Sequence, residues 1–237
     1  MISISNLTKK FHNKTVFDNF SIDIEENKIS CILGASGIGK STLIKLLSGL
    51  DRHDSGEIEG MGNKEFSYIF QEPRLLPWLN VYDNVDFILK AVYSDKDERK
   101  RIILENLKLV DLESSANLFP DELSGGMMQR LSIARAFSYP AKILFMDEPF
   151  SGLDIKLKMS VMDSFRKIWA QSSKTVVFIT HDIDEAVFLA DKIYVLADSP
   201  ARIVYEKDIK INIMKRSFND DTTAPLKKEL LKVISDN

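Results

Sequence analysis

The hydrophobic pattern of the N-terminal part predicts short strands followed by a helix. Apolar and polar residues alternate over residues 2–5 and 20–24, as expected for strands with one buried face. Residues 28–34 are almost continuously apolar and end in glycine, which is typical of a strand buried on both faces. Apolar residues then recur at helical spacing over residues 41–50, so we expect a helix there.

The pattern becomes helical in the middle of the chain. Three helical stretches lie between residues 81 and 139, and Pro140 is expected to end the last of them. Two apolar, β-branched runs, 143–146 and 175–180, then flank another helical pattern, as parallel strands with helical crossovers do. A short helix is expected at residues 225–234. The patterns together indicate an α/β core that a helical segment interrupts.

Composition narrows the class of protein without naming a function. The chain of 237 residues has a formal net charge of −3, which offers no electrostatic case for binding nucleic acid. Its single cysteine, Cys31, excludes an internal disulfide framework and suits a reducing compartment. We expect no export signal, and the most apolar stretch is broken by Asp191 and Lys192. Any attachment to a membrane is therefore expected to come through a partner.

A phosphate-binding loop is the first motif that indicates chemistry. Residues 34–41 match the P-loop pattern and stand between a buried strand and an amphipathic helix, which argues against a chance match. Glycines let the N–H groups of such a loop turn toward a phosphate, and the helix N-terminus adds a positive field. Lys40 would reach the β- and γ-phosphates, and Ser41 would bind Mg²⁺. The candidate residues are Gly34, Ala35, Ser36, Gly37, Ile38, Gly39, Lys40, Ser41 and Thr42.

Two carboxylates follow the apolar run 143–146. Asp147 would hold Mg²⁺ through water, as P-loop enzymes require. Glu148 is placed to polarise an attacking water as general base. Ordinary solvated acids at the end of a strand are the alternative interpretation.

A histidine follows the run 175–180. Ligands of parallel sheets bind at the C-terminal ends of the strands, so His181 could donate a hydrogen bond to a γ-phosphate. Taken by itself, a lone histidine in a loop is more often structural, and the residues leave this alternative open.

Residues 123–130 read Leu-Ser-Gly-Gly-Met-Met-Gln-Arg and suggest a second anion site. Ser124 is a good N-cap, and Gly125 and Gly126 leave the N–H groups of the first helical turn uncovered. This stretch resembles the signature motif of ABC ATPases. The resemblance extends over nearly the whole chain, with the family's motifs in order.

The resemblance implies a fold and a division of the chain. The fold is α/β, with a P-loop NTPase (RecA-like) core, a small N-terminal antiparallel β-subdomain and an inserted helical subdomain. Residues 1–71 and 141–237 would form the core lobe of one ABC ATPase domain, and residues 72–140 the helical insertion.

The resemblance also assigns roles to further residues. Phe11 would stack on adenine with Val16 beneath the ring, although an ordinary core phenylalanine is the alternative. Gln71 corresponds to a glutamine that senses Mg²⁺ and water. Asp154 lies in the loop that crosses the dimer, and His181 corresponds to the family's switch histidine.

The same resemblance implies cofactors, partners and location. ATP and Mg²⁺ would bind at the interface of a homodimer, with Ser124 and Gly126 facing outward to reach the partner's nucleotide. Integral-membrane permease subunits would hold the protein at the cytoplasmic face of the membrane. An extracytoplasmic substrate-binding protein would be an indirect partner.

A narrower resemblance runs through residues 70–78, which are similar to importers of nitrate, sulfonates, taurine and thiamine-precursor pyrimidines. Two departures stand out: segment 57–65 is short, so a hairpin is expected to be trimmed, and the tail after Ile211 lacks the usual proline-rich run. Trp78 would either anchor a helix of the permease or pack the helical insertion.

The resemblance implies a transport ATPase that hydrolyses ATP, and two rival functions compete with it. A soluble ABC ATPase acting on ribosomes or DNA usually has two ATPase domains or a long coiled-coil insertion, and neither is visible. A small-molecule P-loop kinase would have no use for the stretch 123–130.

Overall fold

The strands form two sheets, and helices connect several strands of the larger one. The computed structural model describes residues 1–12, 14–61, 66–218 and 223–236. In chain order the elements are β1 (Ile2–Phe11), β2 (Lys14–Ile24), β3 (Ile29–Gly34), α1 (Lys40–Leu47), β4 (Ser55–Glu59), β5 (Phe66–Ile69), α2 (Val81–Leu89), α3 (Lys96–Leu109), α4 (Gly125–Ser138), β6 (Ile143–Asp147), α5 (Ile155–Trp169), β7 (Thr175–Thr180), α6 (Ile183–Leu189), β8 (Lys192–Ala197), β9 (Arg202–Asp208) and α7 (Ala224–Ser235).

The smaller sheet is antiparallel, with the strand order β2-β1-β4. Strands β1 and β2 are longer than the segments 2–5 and 20–24 that the alternation predicts. Those segments stop where Asn6 and Asn19 take φ angles of 53° and 54°, beside shifts in the pairing register. Such irregularities interrupt the alternation of buried and exposed side chains. The pattern therefore reveals only the regular part of each strand.

The larger sheet has the strand order β5-β6-β7-β3-β8-β9 and is parallel except for the last pair. Every residue of β3 and β7 is buried, as predicted for strands covered on both faces. Because β6, β7 and β3 are neighbours, their C-terminal ends lie side by side at one edge. Open α/β sheets bind ligands at this edge.

Helix α1 ends earlier than the periodicity predicts. The pattern continues to residue 50, but the helix ends at Leu47. Gly49 takes a φ of 70° and donates its N–H to the carbonyl of Leu46 at 3.1 Å. A glycine in the left-handed region is a common helix terminator, so this residue stops the helix although the apolar spacing goes on.

Helices α2, α3 and α4 stand between β5 and β6, where the pattern predicts helices. Their N-caps are Asn80, Asp95 and Ser124, whose side chains accept hydrogen bonds from N–H groups of the first turn. Helix α4 ends because Tyr139 adopts the extended conformation favoured before Pro140. The C-terminal helix predicted at residues 225–234 is present as α7.

The larger sheet separates two apolar layers. One layer packs it against α1 and the small antiparallel sheet, and the other packs it against helices α2 to α7. We propose that residues 1–71 and 141–237 act as one lobe, with residues 72–140 as the helical insertion. The predicted trimming of a hairpin falls partly on residues 62–65, which lie outside the described residues.

Candidate functional site

Glycines shape the loop between β3 and α1. Gly37 and Gly39 take φ angles of 80° and 117°, which residues with a side chain rarely adopt. A Cβ atom on Gly39 would lie 2.6 Å from Cγ1 of Val16, and one on Gly34 would lie 2.8 Å from the carbonyl oxygen of Leu196. The middle of the loop is exposed. The loop therefore presents backbone to solvent at the N-terminus of α1, where N–H groups have no intrahelical partner.

Lys40, the first residue of α1, turns its ammonium group back into this loop. Its Nζ donates to the carbonyls of Gly34 at 2.8 Å and Ala35 at 3.0 Å, and lies 3.7 Å from Oε1 of Glu148. The residue is only 4% exposed, and this burial lowers the pKa of Lys40, while Glu148 and Asp147 act in the opposite direction. A buried, incompletely compensated cation attracts further negative charge, which phosphates would supply.

Asp147 ends β6 and is held by two hydroxyl groups. Ser41 donates to Oδ1 at 3.1 Å, and Tyr68 donates to Oδ2 at 3.4 Å. Tyr68 reaches this position because β5 pairs with β6. Burial, with a contribution from the Asp147 carboxylate, raises the pKa of Tyr68, so the phenol stays protonated as a donor. The loop serine and the strand-end carboxylate are thus in contact, as two groups that share a metal ion would be.

Glu148 follows at a sharp turn of the chain. Its φ is 44°, and its N–H donates to the carbonyl of Ile179 in β7 at 3.1 Å. Its carboxylate lies between two partners: Oε1 is 3.7 Å from Nζ of Lys40, and Oε2 is 3.2 Å from Nδ1 of His181. Unlike a solvated acid at a strand end, this carboxylate has specific neighbours on both sides.

His181 follows β7, and its side chain is 53% exposed. The residues on either side of it are anchored. Thr180 donates to the carboxylate of Glu185 at 2.6 Å, and the carboxylate of Asp182 accepts a hydrogen bond from Lys158 at 2.6 Å. The backbone at His181 is therefore fixed while the ring faces solvent at the same edge of the sheet as Lys40, a position suited to a ligand contact.

Gln71 follows β5, but its side-chain hydrogen bond is with the loop after β6 and not with Ser41 or Asp147, the other predicted metal ligands. Its amide nitrogen donates to the hydroxyl of Ser151 at 3.4 Å, in the loop that follows β6. Contact of Gln71 with a metal stays a prediction. Thr42 is half-buried in the first turn of α1, directly after Ser41.

Phe11 and Val16 lie near a cavity beside the loop. Phe11 is 41% exposed at the end of β1, so the interpretation as an ordinary core residue is wrong. Nζ of Lys9 lies 4.5 Å from the centroid of its ring. The cavity has a volume of about 190 Å³ and is lined by Lys14, Val16, Ala35, Ser36, Gly37, Ile38, Asp198 and Ser199.

The N-terminus of α4 is only partly open. Ser124 accepts a hydrogen bond from the N–H of Met127 at 3.3 Å, and both Ser124 and Gly125 are exposed. The expectation that Gly126 faces outward is wrong, because this residue is buried. A Cβ atom on Gly126 would lie 2.8 Å from Cγ of Leu157. The first turn of α5 covers Gly126, so Ser124 and Gly125 form the accessible part of the motif.

Asp154 is the exposed N-cap of α5. Its carboxylate accepts a hydrogen bond from the N–H of Leu157 at 3.0 Å. The side chain thus has a structural role within this chain, and its contact across a dimer stays a prediction.

An apolar groove lies between the edge strand β5 and helices α2 and α4. Its volume is about 480 Å³, and it is lined by Phe66, Ser67, Tyr68, Phe87, Ile88, Ala91, Arg135, Ala136 and Tyr139. Phe87 is 56% exposed and Trp78, in the turn before α2, is 69% exposed. The interpretation of Trp78 as packing for the helical insertion is therefore wrong. Both large apolar side chains are available to a partner.

The sequence analysis does not predict two side-chain contacts that the structure shows at the site. Tyr68 donates to Asp147, and Gln129 of α4 donates to the carbonyl of Pro149, the residue after Glu148. A buried glutamine inside the motif 123–130 was a signal that could have identified the second contact. The contact of Tyr68 with Asp147 depends on strand register, which the sequence pattern does not reveal.

Comparisons with known proteins agree with this arrangement. The family model described as ABC transporter matches residues 17–151. The aliphatic sulfonates import ATP-binding protein SsuB of Bacillus cereus is 36% identical, over 97% of this chain and 94% of that protein. The nitrate import ATP-binding protein NrtD of Synechocystis is 37% identical, over 90% of this chain and 83% of that protein. The resemblance to these importers is confirmed.

A solved structure is similar as well. The dimeric ABC transporter cassette MJ0796 superimposes with a TM-score of 0.75 at 31% identity, covering 90% of this chain and all of the other. A second structure of MJ0796, described as a post-hydrolysis state bound to ADP and Pi, gives a TM-score of 0.74 at 30% identity. In the part of the chain that the structure describes, no helix is long and apolar enough to span a bilayer. The chain therefore belongs to the ABC transporter family, as one of its ATP-binding cassette ATPases.

Proposed function

We propose that this ATPase binds ATP with Mg²⁺ between two copies of the chain and couples hydrolysis to transport through a separate permease. One observation carries the proposal: Lys40, Asp147, Glu148 and His181 meet at the C-terminal ends of the neighbouring strands β3, β6 and β7. At this edge Lys40 would supply a cation for the phosphates, Asp147 a carboxylate for the metal ion, and Glu148 a base for the attacking water. Hydrolysis by P-loop enzymes needs these groups together.

The loop at residues 34–41 would hold the phosphates. Its exposed backbone and the N-terminus of α1 supply N–H donors, and Lys40 supplies the charge. In the structure the ammonium group faces Glu148. A γ-phosphate would compete with that carboxylate for Lys40, and Glu148 would then be free to face the attacking water.

The donor set suits Mg²⁺. Ser41 and Asp147 offer oxygen atoms in contact with each other, and Gln71 is a further candidate ligand. Among the described residues, no group of three or more histidines, cysteines and acids could hold a metal by itself. Mg²⁺ does not need one, since it commonly binds one or two protein oxygens together with substrate phosphates. When bound, the ion would neutralise charge that develops on the phosphates.

Glu148 and His181 would act on the γ-phosphate end. Glu148 would accept a proton from the attacking water as the new bond to phosphorus forms and ADP leaves. His181, 3.2 Å from the same carboxylate, would donate a hydrogen bond to the γ-phosphate. At the other end of the nucleotide, the exposed ring of Phe11 would stack on adenine beside Val16.

The apolar groove would receive a helix of the permease. It is bordered by the exposed Phe87, and the exposed Trp78 stands in the turn that precedes α2. A helix binds such a groove through its apolar face. The groove borders β5, and Tyr68 of that strand contacts Asp147, so the occupant would lie close to the metal site. Such docking would place the chain at the cytoplasmic face of the membrane.

The transported solute is inferred from relatives. SsuB and NrtD are named for import of aliphatic sulfonates and nitrate. We therefore infer import of a small anion or sulfonate-type solute, with an extracytoplasmic substrate-binding protein as indirect partner. A soluble non-transport ABC ATPase receives no support from these relatives.

Lys40→Ala is expected to weaken ATP binding about 100-fold without unfolding the protein. The substitution removes the main cation of the phosphate site, and a charge-assisted hydrogen bond contributes about 1.5–3 kcal/mol. The apolar layers are untouched, so the fold should persist. Titration with a fluorescent ATP analogue measures the affinity, and thermal unfolding checks the fold.

Lys45→Ala is the matched control for this experiment, since Lys45 is exposed on the same helix. It should bind ATP like the wild-type protein. A folded Lys40→Ala protein with wild-type affinity would refute the assigned phosphate site.

Trp78→Ala and Phe87→Ala are expected to weaken binding to the permease while the ATPase activity of the isolated subunit persists. Both residues lie on the surface, so their loss should not disturb the core. Co-purification with the permease measures binding. Leu231→Ala, which removes an exposed apolar residue of α7, serves as control. If both variants bind the permease normally, the groove has another role.

A further inference from the structure

The backbone at Glu148 has a conformation that a glutamate rarely adopts. Its φ of 44° lies in the left-handed region, which residues with a Cβ atom avoid. A residue keeps such a conformation only where the surrounding structure determines it strongly. The hydrogen bonds around Glu148 are therefore part of what places its carboxylate.

Three hydrogen bonds hold this turn. The N–H of Glu148 donates to the carbonyl of Ile179 at 3.1 Å, and the N–H of Ser151 donates to the carbonyl of Glu148 at 3.1 Å. The third comes from α4, where the side-chain amide of Gln129 donates to the carbonyl of Pro149. Gln129 is 3% exposed and Pro149 is buried, so water has little access to this bond.

We propose that Gln129 is a positioning residue for Glu148, acting through the carbonyl of Pro149. The inference rests on the proposed function, in which Glu148 accepts a proton from water. Proline has no N–H, so the carbonyl of Pro149 is the one polar backbone group through which that residue can be held. Without the donor the turn relaxes, and the carboxylate moves relative to Lys40 and His181.

The donor stands on a helix that other contacts keep in place. Arg130, the next residue, donates to the hydroxyl of Ser160 in α5. On the same helix, Leu157 packs directly over Gly126. Helix α4 is thus fixed against α5 on both sides of Gln129, which makes the amide a firm support for the turn.

Gln129→Met tests the proposal, because it removes the donor and keeps a side chain of similar length. We expect kcat to fall about 10- to 100-fold, the order expected when a catalytic group is misplaced by about 1 Å. The dissociation constant for ATP should stay within about twofold of wild type, since the phosphate loop is unchanged. Thermal unfolding shows whether the variant folds.

Gln129→Glu separates the hydrogen bond from packing. A protonated carboxyl group can donate to the carbonyl of Pro149, and a carboxylate cannot. Burial raises the pKa of a carboxyl group, so the protonated form persists toward neutral pH. The ratio of variant kcat to wild-type kcat should be highest at low pH and fall as the pH rises through that pKa. If Gln129 only fills space, Gln129→Met should be as active as Gln129→Glu at low pH, because both side chains are then uncharged and similar in size.

Ser138→Ala is the control, since Ser138 is a buried polar residue at the far end of α4 that bonds the carbonyl of Ala134. It should leave kcat near wild type. The proposal is overturned if folded Gln129→Met keeps the wild-type kcat, or if Gln129→Glu at low pH is no more active than Gln129→Met. If Gln129→Met does not fold, Gln129→Leu, which also lacks a donor, replaces it in this comparison.

Failure of the proposed function looks different. If Glu148→Gln hydrolyses ATP at the wild-type rate, Glu148 is not the general base. The proposed function then fails together with the role of Gln129. Loss of turnover in Glu148→Gln together with full kcat in Gln129→Met would overturn the positioning role alone.

Discussion

Glu148→Gln is expected to bind ATP normally and to hydrolyse it about 10²- to 10⁴-fold more slowly, the range that a general base contributes. The amide keeps the shape of the side chain between Lys40 and His181, but it cannot take a proton from water. ATP affinity should be equal or slightly higher, because Lys40 loses a carboxylate that competes with the phosphates.

Single-turnover hydrolysis with enzyme in excess measures this step without product release. Glu206→Gln is the matched control, because Glu206 is an exposed acid on β9 whose carboxylate pairs with Lys192 at 3.5 Å and which the proposed mechanism does not use. Its rate should equal that of the wild type. Wild-type hydrolysis by Glu148→Gln would show that another group accepts the proton.

The sequence was sufficient to predict the main sheet and the site edge. A buried run that ends in a P-loop, and two further apolar runs that end in Asp147 and in Thr180, are all local patterns. Parallel strands place their C-terminal ends at one edge, so local patterns were enough to bring Lys40, Asp147, Glu148 and His181 together.

Features that depend on backbone irregularity were not predictable. The strands β1 and β2 were predicted too short, because positive φ angles at Asn6 and Asn19 interrupt the alternation. Helix α1 was predicted too long, because apolar spacing continues past the point where Gly49 ends it. In each case a single residue's conformation overrides the periodicity around it.

The hydrophobic pattern also does not predict contacts between elements that are distant in the sequence. The contact of Gln71 with Ser151 and the burial of Gly126 beneath Leu157 depend on how loops and helices pack. Spacing along one chain does not determine such packing. The motif assigned Gly126 correctly to a helix start, but the neighbour that covers it lies on α5.

ATP is expected to convert Glu148→Gln protein from monomer to dimer, and Ser124→Arg in that background is expected to prevent the change. One chain supplies Lys40, Asp147, Glu148 and His181 at a single edge of the sheet. A P-loop surrounds one side of the phosphates only. The other side needs a second set of donors.

The exposed start of α4 is the candidate for that second set. Ser124 and Gly125 face solvent at a helix N-terminus, which favours an anion. A two-fold axis would place each α4 on the nucleotide of the other chain and enclose two ATP molecules in one isologous interface. The Ser124→Arg substitution removes the N-cap hydroxyl group and adds bulk where the nucleotide would lie, so the interface should not close.

Sedimentation velocity with and without ATP measures the change, and Ser94→Arg is the matched control at an exposed serine in the loop before α3. The control should still form dimers with ATP. Because each site would need both chains, wild-type activity at low enzyme concentration should rise faster than linearly, since mass action sets the dimer population. Hydrolysis would open the dimer again, a two-state change that a permease could use. Two results together would refute the proposal that two chains share each ATP site. They are Glu148→Gln protein that stays monomeric when loaded with ATP, and wild-type activity that is strictly linear in enzyme concentration.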